Sequence, residues 1–178
     1  MKIYMDIDEG LRRFWKIRRD VYRRGHPLED VVGQIEGRMP DFHKYIEPQK
    51  GHADLIIRYF DRNLAGGTVK DYEPRLSLKI TASNEVDFGP LVSELKKYGI
   101  GIAYEFDADM ASQSLVFEGC LESSSLPVAD IAFAVVPELE YILNQPIAPQ
   151  TDMQSVIGLV ILMMINEKMG KFDSGENK

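Results

Sequence analysis

Seven of the thirteen residues from Arg12 to Arg24 are basic, and one, Asp20, is acidic. Arg12, Lys16, Arg19 and Arg23 follow one another at steps of four, three and four residues. On a helix that spacing lines them along one face, with Arg13, Arg18 and Arg24 to either side. Like charges so placed repel by a few tenths of a kcal/mol per pair, so the crowding calls for a reason. One reading is a solvated helix face partnered by Asp20, Glu29 and Asp30. The other is a polyphosphate clamp: guanidinium forks match phosphate oxygens two at a time and neutralise charge that shifts during phosphoryl transfer.

The elements that must hold this array are legible on both sides of it. "KIYMDI" alternates Ile3 and Met5 with polar neighbours and reads as a strand ending near Asp6 to Asp8. Asp8 can cap a helix on which Leu11, Phe14, Trp15, Ile17, Val21 and Tyr22 recur at helical spacing. Gly25, with Pro27 soon after, predicts its end. A second helix is expected over about 28–39, stopping before Pro40, followed by an irregular connector, "PDFHKYIEPQKGH", and a strand over 53–60. The polar stretch 61–74, with paired glycines, marks a boundary. Beyond it the pattern reads strand, helix, strand, strand, then two helices over about 127–144 and 152–169, the second opened by a capping box at Thr151. Met163, Met164 and Met169, with Leu159, Leu162 and Ile165, form a core stripe on that last helix, and "DSGENK" reads as a disordered tail.

Composition sets limits. The chain has 178 residues, 44% hydrophobic, enough to bury one respectable core or two small ones. A single cysteine, Cys120, excludes an internal disulfide framework and reads as a buried reduced thiol in a cytoplasmic protein. The longest nearly unbroken apolar run, "VIGLVILMMI", is ten residues at 156–165 and too short to span a bilayer. Residues 1–62 carry thirteen Lys and Arg against eleven Asp and Glu, whereas the rest carries eight against seventeen. The basic field is therefore local, and the net charge of −7 argues against nucleic acid as a partner. Asp87, Glu105, Asp107 and Asp109 match no calcium loop and read as solvated charges, so no metal site is expected in this chain.

Several short strings then combine: Lys16-Ile17-Arg18-Arg19-Asp20, Arg24-Gly25-His26, Arg38, Pro40-Asp41, Tyr45-Ile46, Pro48-Gln49 and Ala53-Asp54. Together, over residues 2–57, they resemble the latter half of the catalytic domain of the phosphoribulokinase and uridine kinase family of P-loop kinases. "PDFHKYIEPQK" is similar to the phosphoribulokinase side of that family. The resemblance implies an α/β fold in which residues 1–62 are the C-terminal part of a P-loop kinase domain, made of a strand, lid helices and a strand. Residues 71–172 would be a small α+β accessory domain. It also implies that Arg19 and Arg24 are catalytic, Arg19 on the nucleotide phosphates and Arg24 near the transferred phosphoryl group or the phosphorylated acceptor, with Asp20 orienting them. Lys16, Arg18 and Arg23 would bind phosphate, and Arg38, at the base of the lid, substrate or effector, its other reading being a salt bridge to Asp41 or Glu36. His43 and Tyr45 could reach a sugar hydroxyl, but the favoured expectation is that they pack the connector.

The implied cofactors are ATP and Mg²⁺, the Mg²⁺ site lying outside this chain. The implied partners are a nucleotide, a sugar phosphate or nucleoside acceptor, and either a second copy of the chain or the remaining kinase half. One departure from the family is plain. No G-x-x-x-x-G-K-[ST] string, whose backbone N–H groups and lysine cradle phosphates, occurs in the sequence, and "AGGTVK" at 65–70 has the wrong spacing. The expectation is a segment of an ATP-dependent kinase, inactive by itself, whose first strand lacks its sheet neighbours. The alternative is a non-catalytic phosphate-binding or regulatory protein derived from such a kinase, its second half serving oligomerisation.

Overall fold

The computed structural model describes residues 1–64, 70–118, 126–137 and 153–173, with side chains through residue 170. The expectations for Cys120, the Thr151 capping box, the stretch 138–144 and the tail after residue 173 lie outside the described residues. The chain divides into two compact units, Met1–Lys79 and Ile80–Lys178. Together their described residues form a mixed α/β protein with five strands.

In the first unit, β1 (Ile3–Ile7) runs into α1 (Glu9–Ile17), which continues as a π-helical turn over Arg18–Arg23. Asp8 is the N-cap, accepting from the Gly10 backbone N–H at 3.0 Å. Gly25 ends the helix with φ +76°, a left-handed conformation in which a Cβ would be strained. After α2 (Leu28–Asp41) come a second π-helical turn (Phe42–Ile46), a 3-10 turn (Glu47–His52) and β2 (Leu55–Phe60). This helical crossover is long enough to return β2 parallel to β1, from Ile3 opposite Leu55 to Ile7 opposite Tyr59. The first strand thus finds a neighbour in "ADLIIRYF".

Two expectations are corrected. The second helix does not stop before Pro40 but includes it. So late in the helix, proline removes only one N–H, and the turn goes on because the Phe42 N–H reaches the Arg38 and Met39 carbonyls. The connector is also helical, not irregular: Gln49 Nε2 donates to the Tyr45 carbonyl at 2.8 Å and His43 Nδ1 meets Glu47 Oε2 at 2.7 Å, both at four-residue spacing.

The helix pair is held by apolar contacts on its inner side. Leu11, Phe14 and Ile17 of α1 are buried at three-residue intervals, and Ile17 packs with Val31 and Ile35 of α2. Phe14 also meets the edge of Tyr72 at 5.9 Å. Tyr72 is itself fixed because its hydroxyl donates to Asp61 at 2.8 Å, and the buried Asp61 also accepts from the Asn63 and Arg75 backbone N–H groups.

The unit boundary falls within β3 (Ser77–Ser83). In the second unit follow α3 (Gly89–Lys97), β4 (Ile102–Phe106), β5 (Ser112–Phe117), α4 (Val128–Val135) and α5 (Met153–Asp173). β4 and β5 form an antiparallel hairpin with Ile102 opposite Phe117, and β5 lies between β4 and β3. Leu91 and Leu95 of α3, Leu115 and Phe117 of β5, Ile131 of α4 and Leu159 of α5 are among the buried side chains of its core. Met163 and Met164 are buried as expected, but Ile165 and Met169, four residues apart, share the outer side of α5 and are exposed. Among the described residues no helix is long and apolar enough to cross a membrane.

Candidate functional site

Burial of Leu11, Phe14 and Ile17 turns the opposite side of α1 outward, and with it the basic array. Arg12, Lys16, Arg18, Arg19 and Arg23 line one open cleft of about 570 Å³ together with Trp15. Four of the residues singled out from the sequence, Lys16, Arg18, Arg19 and Arg23, are therefore brought together. Two are placed elsewhere: Arg24 does not line this cleft, and Arg38 lines a neighbouring groove.

The crowding is relieved from within by Asp20. The π-helical turn directs its carboxylate inward, where only 6% of the side chain is exposed. Arg19 holds it with two bonds, Nε to Oδ1 at 2.8 Å and Nη2 to Oδ2 at 3.0 Å. Lys16 Nζ donates at 3.0 Å and Arg24 Nη1 at 3.1 Å. Hydrogen bonds from Arg19 first, and Lys16 next, hold the Asp20 carboxyl far below the ordinary carboxylate range. Arg19, correspondingly, is raised by its bond to Asp20. Arg24, although tied to Asp20, keeps 58% of its side chain exposed, and Arg19 keeps 53%.

The other cations divide into committed and open. Arg13 is bound to Glu36 at 2.6 Å and to Glu9 at 2.8 Å, so Glu36, considered from sequence as a partner for Arg38, serves Arg13. Arg18 donates to Glu73 at 2.5 Å and lies 5.8 Å from the Phe14 ring centre. Among the described residues Arg38 makes no ion pair. Arg12 comes no closer than 3.9 Å to Glu9, donates to the Met39 sulfur at 3.5 Å, and stacks 4.1 Å from the Phe42 ring centre.

Beside the basic cleft, sharing Arg12 and Lys16 with it, runs a groove of about 550 Å³. Ile35, Met39, Phe42, Tyr45 and Ile46 give it apolar walls, with Arg13 and Arg38 at its rim. A third recess, about 220 Å³, lies at the C-terminal end of β1. Its acids are largely compensated, Asp6 by Lys50 at 2.6 Å and Asp8 by Arg58 at 3.1 Å. His43 lines this recess and Tyr45 the groove, so each borders a cavity where packing was expected. Sequence reasoning placed Arg12 on the basic face without assigning it a role, and it lines all three cavities. Its four-residue spacing to Lys16 was the available signal. Among the described residues no group of three His, Cys, Asp or Glu could hold a metal ion.

A parallel strand pair joined through a helix whose outer face converges arginines and a lysine on one cleft defines an α/β unit with a basic cleft. The comparisons are more particular: residues 1–65 match the model of the phosphoribulokinase / uridine kinase family. A phosphoribulokinase of Synechocystis sp. is 43% identical over 74 residues, which are 42% of this chain and 21% of that protein. The chloroplastic phosphoribulokinase of Spinacia oleracea is 48% identical over 62 residues, 35% of this chain and 15% of that one. A uridine kinase of Lactococcus lactis subsp. cremoris is 43% identical over 58 residues, 32% and 28% of the two chains. This chain thus matches less than a third of the length of each of these relatives, and the similarity falls on the unit that carries the basic cleft.

Proposed function

We propose that residues 1–62 act as the phosphate-binding lid segment of an ATP-dependent kinase of the phosphoribulokinase type. The kinase transfers the γ-phosphoryl group to a hydroxyl of a sugar phosphate or nucleoside, and residues 71–172 are its accessory domain. The observation that carries this reading is the convergence of Arg12, Lys16, Arg18, Arg19 and Arg23 on one cleft in the segment that matches the kinase family. A phosphoryl group in transfer spreads negative charge over its oxygens, and fixed cations lower that cost. Arg19 and Arg24 are the catalytic pair in this proposal, with Asp20 as the positioning residue that sets both guanidinium groups. Lys16, Arg18 and Arg23 hold the remaining phosphate charge. Arg38 stands where the acceptor or an effector anion would approach.

Mg²⁺ would supply such a kinase with charge neutralisation at the phosphates. The described residues do not fit it, since they contain no group of three His, Cys, Asp or Glu for a metal. The sequence also has no G-x-x-x-x-G-K-[ST] loop, and this favours a second reading for the chain alone: it binds phosphate-bearing ligands without turning them over. Both readings place the protein in the cytoplasm, and both rest on anion binding. Calorimetric titration of the full chain with tripolyphosphate tests it. Binding that weakens with salt and falls about tenfold in Arg23→Ala or Arg19→Ala is expected. Salt-independent binding, or binding untouched by both substitutions, would place the anion elsewhere.

A further inference from the structure

Beyond the stretch 1–65 that matches the kinase family, the chain places two exposed acids, Asp71 and Glu73, on either side of a half-buried tyrosine, Tyr72. Tyr72 is an anchor. Its ring packs at right angles to the buried Phe14 ring, 5.9 Å away, and its hydroxyl donates to Asp61 Oδ2 at 2.8 Å. The same oxygen accepts from the Arg75 backbone N–H at 2.9 Å, and Asp61 Oδ1 accepts from the Asn63 N–H at 2.8 Å. Asp61 is 8% exposed and commits both oxygens to pinning this segment.

Glu73 is therefore kept beside the helix that carries the basic array. Its carboxylate accepts from Arg18 Nη2 at 2.5 Å, while 77% of its side chain stays in water. Arg18 holds the Glu73 carboxyl below its ordinary range, and the charge of Arg23 acts in the same direction. Both arginines line the basic cleft. Asp71 acts on Arg18 through its charge alone. An anion is thus already in residence at the margin of the cleft, and the chain itself supplies it.

We propose that Glu73 is a tethered competitor for the basic cleft, which holds Arg18 until a multiply charged anion displaces it and so keeps weak anions from that position. This rests on the phosphate-binding reading given above. A free carboxylate offers Arg18 the same chemistry as Glu73 but without the high local concentration that the tether confers. A phosphoryl group carries up to about two negative charges on three oxygens, and a polyphosphate reaches Lys16, Arg19 and Arg23 together with Arg18. Displacement costs little, because an ion pair with one partner so exposed is weak. The Glu73 side chain can swing into water while Tyr72 keeps its place.

The test is calorimetric titration of the full chain with inorganic tripolyphosphate, in the wild type, Glu73→Gln, Asp71→Asn, Arg18→Ala and the double variant Arg18→Ala with Glu73→Gln. Glu73 and Asp71 are exposed, so folding is little affected by either change. Glu73→Gln is expected to tighten tripolyphosphate by about two- to fivefold. Asp71→Asn removes the same charge without freeing a bound arginine, and should give clearly less. In the Arg18→Ala background the gain from Glu73→Gln should vanish, because the contested cation is gone. Wild-type binding that Glu73→Gln leaves unchanged or weakens would overturn the competitor role and leave the phosphate site standing. A gain that Asp71→Asn matches, or that persists with Arg18→Ala, would also overturn it, since it would come from the general field and not from release of Arg18. If neither the wild type nor Glu73→Gln binds tripolyphosphate, the phosphate reading falls and this inference with it.

Discussion

Phe14→Ala should be among the most damaging single changes in the first unit. Phe14 is 3% exposed, packs edge-on against Tyr72 at 5.9 Å and underlies Arg18 at 5.8 Å. It therefore anchors α1 to the 70–75 segment while the basic array faces the other way. Truncating a buried phenylalanine to alanine costs about 3–5 kcal/mol in lost transfer energy and residual cavity. A unit of this size has on the order of 4–12 kcal/mol in all. With a urea slope of about 1 kcal/mol per molar, the unfolding midpoint should fall by about 3 M or more. Trp15 is the single tryptophan of the chain and sits on α1, so its fluorescence reports the unfolding of this unit. Phe14→Leu, which keeps most of the volume, should cost less than about 1.5 kcal/mol. Tyr22→Ala, at an exposed site, should cost within about 0.5 kcal/mol. A midpoint shift below about 0.5 M for Phe14→Ala, at unchanged slope, would refute the claim that this contact anchors the helix.

Acid should act on Asp20. Its carboxyl is held below the ordinary value of 3.8 by Arg19 and Lys16, so the stabilisation it lends is complete above that value and is lost as pH falls toward the folded-state value. Asp20→Asn should therefore flatten the stability profile between about pH 5 and pH 2, followed by Trp15 fluorescence in urea at each pH, and an unchanged profile would sink the assignment. β1 pairs with β2 on one side, and among the described residues Ile3 and Met5 stay exposed on it. We propose self-association through that strand, and sedimentation should show the full chain dimeric or larger, with Met5→Lys shifting it toward monomer. A strictly monomeric wild-type chain would refute this. No turnover above background is expected from the chain with ATP, Mg²⁺ and ribulose 5-phosphate or uridine, and activity lost in Arg24→Ala would overturn that.

Local spacing was enough to place the helix and its basic face. Leu11, Phe14 and Ile17 repeat at the period that buries one side, Asp8 caps the start, and Gly25 supplies the left-handed turn at the end. The combined strings from Lys16 to Asp54 were also sufficient to recognise the family that residues 1–65 match. These are properties of neighbours within a few residues, or of side-chain identity, and they survive without knowing the fold.

What decides which cations remain available is long-range, and only the tertiary structure could supply it. Arg18 is tied to Glu73, fifty-five positions along the chain, and Arg13 to Glu36, twenty-three positions along. Arg12 stacks on Phe42 from a different element. The groove beside the cleft exists because α2 continues through Pro40 into a helical turn that turns Tyr45 and Ile46 toward it, where the sequence predicted only an irregular connector. Even Asp20, adjacent to Arg19, owes its inward position to a π-helical turn that has no signature in composition or period. Sequence periodicity determines which side of a helix is basic. The partners that neutralise some of those charges, and leave others exposed, are set by where the rest of the chain comes to lie.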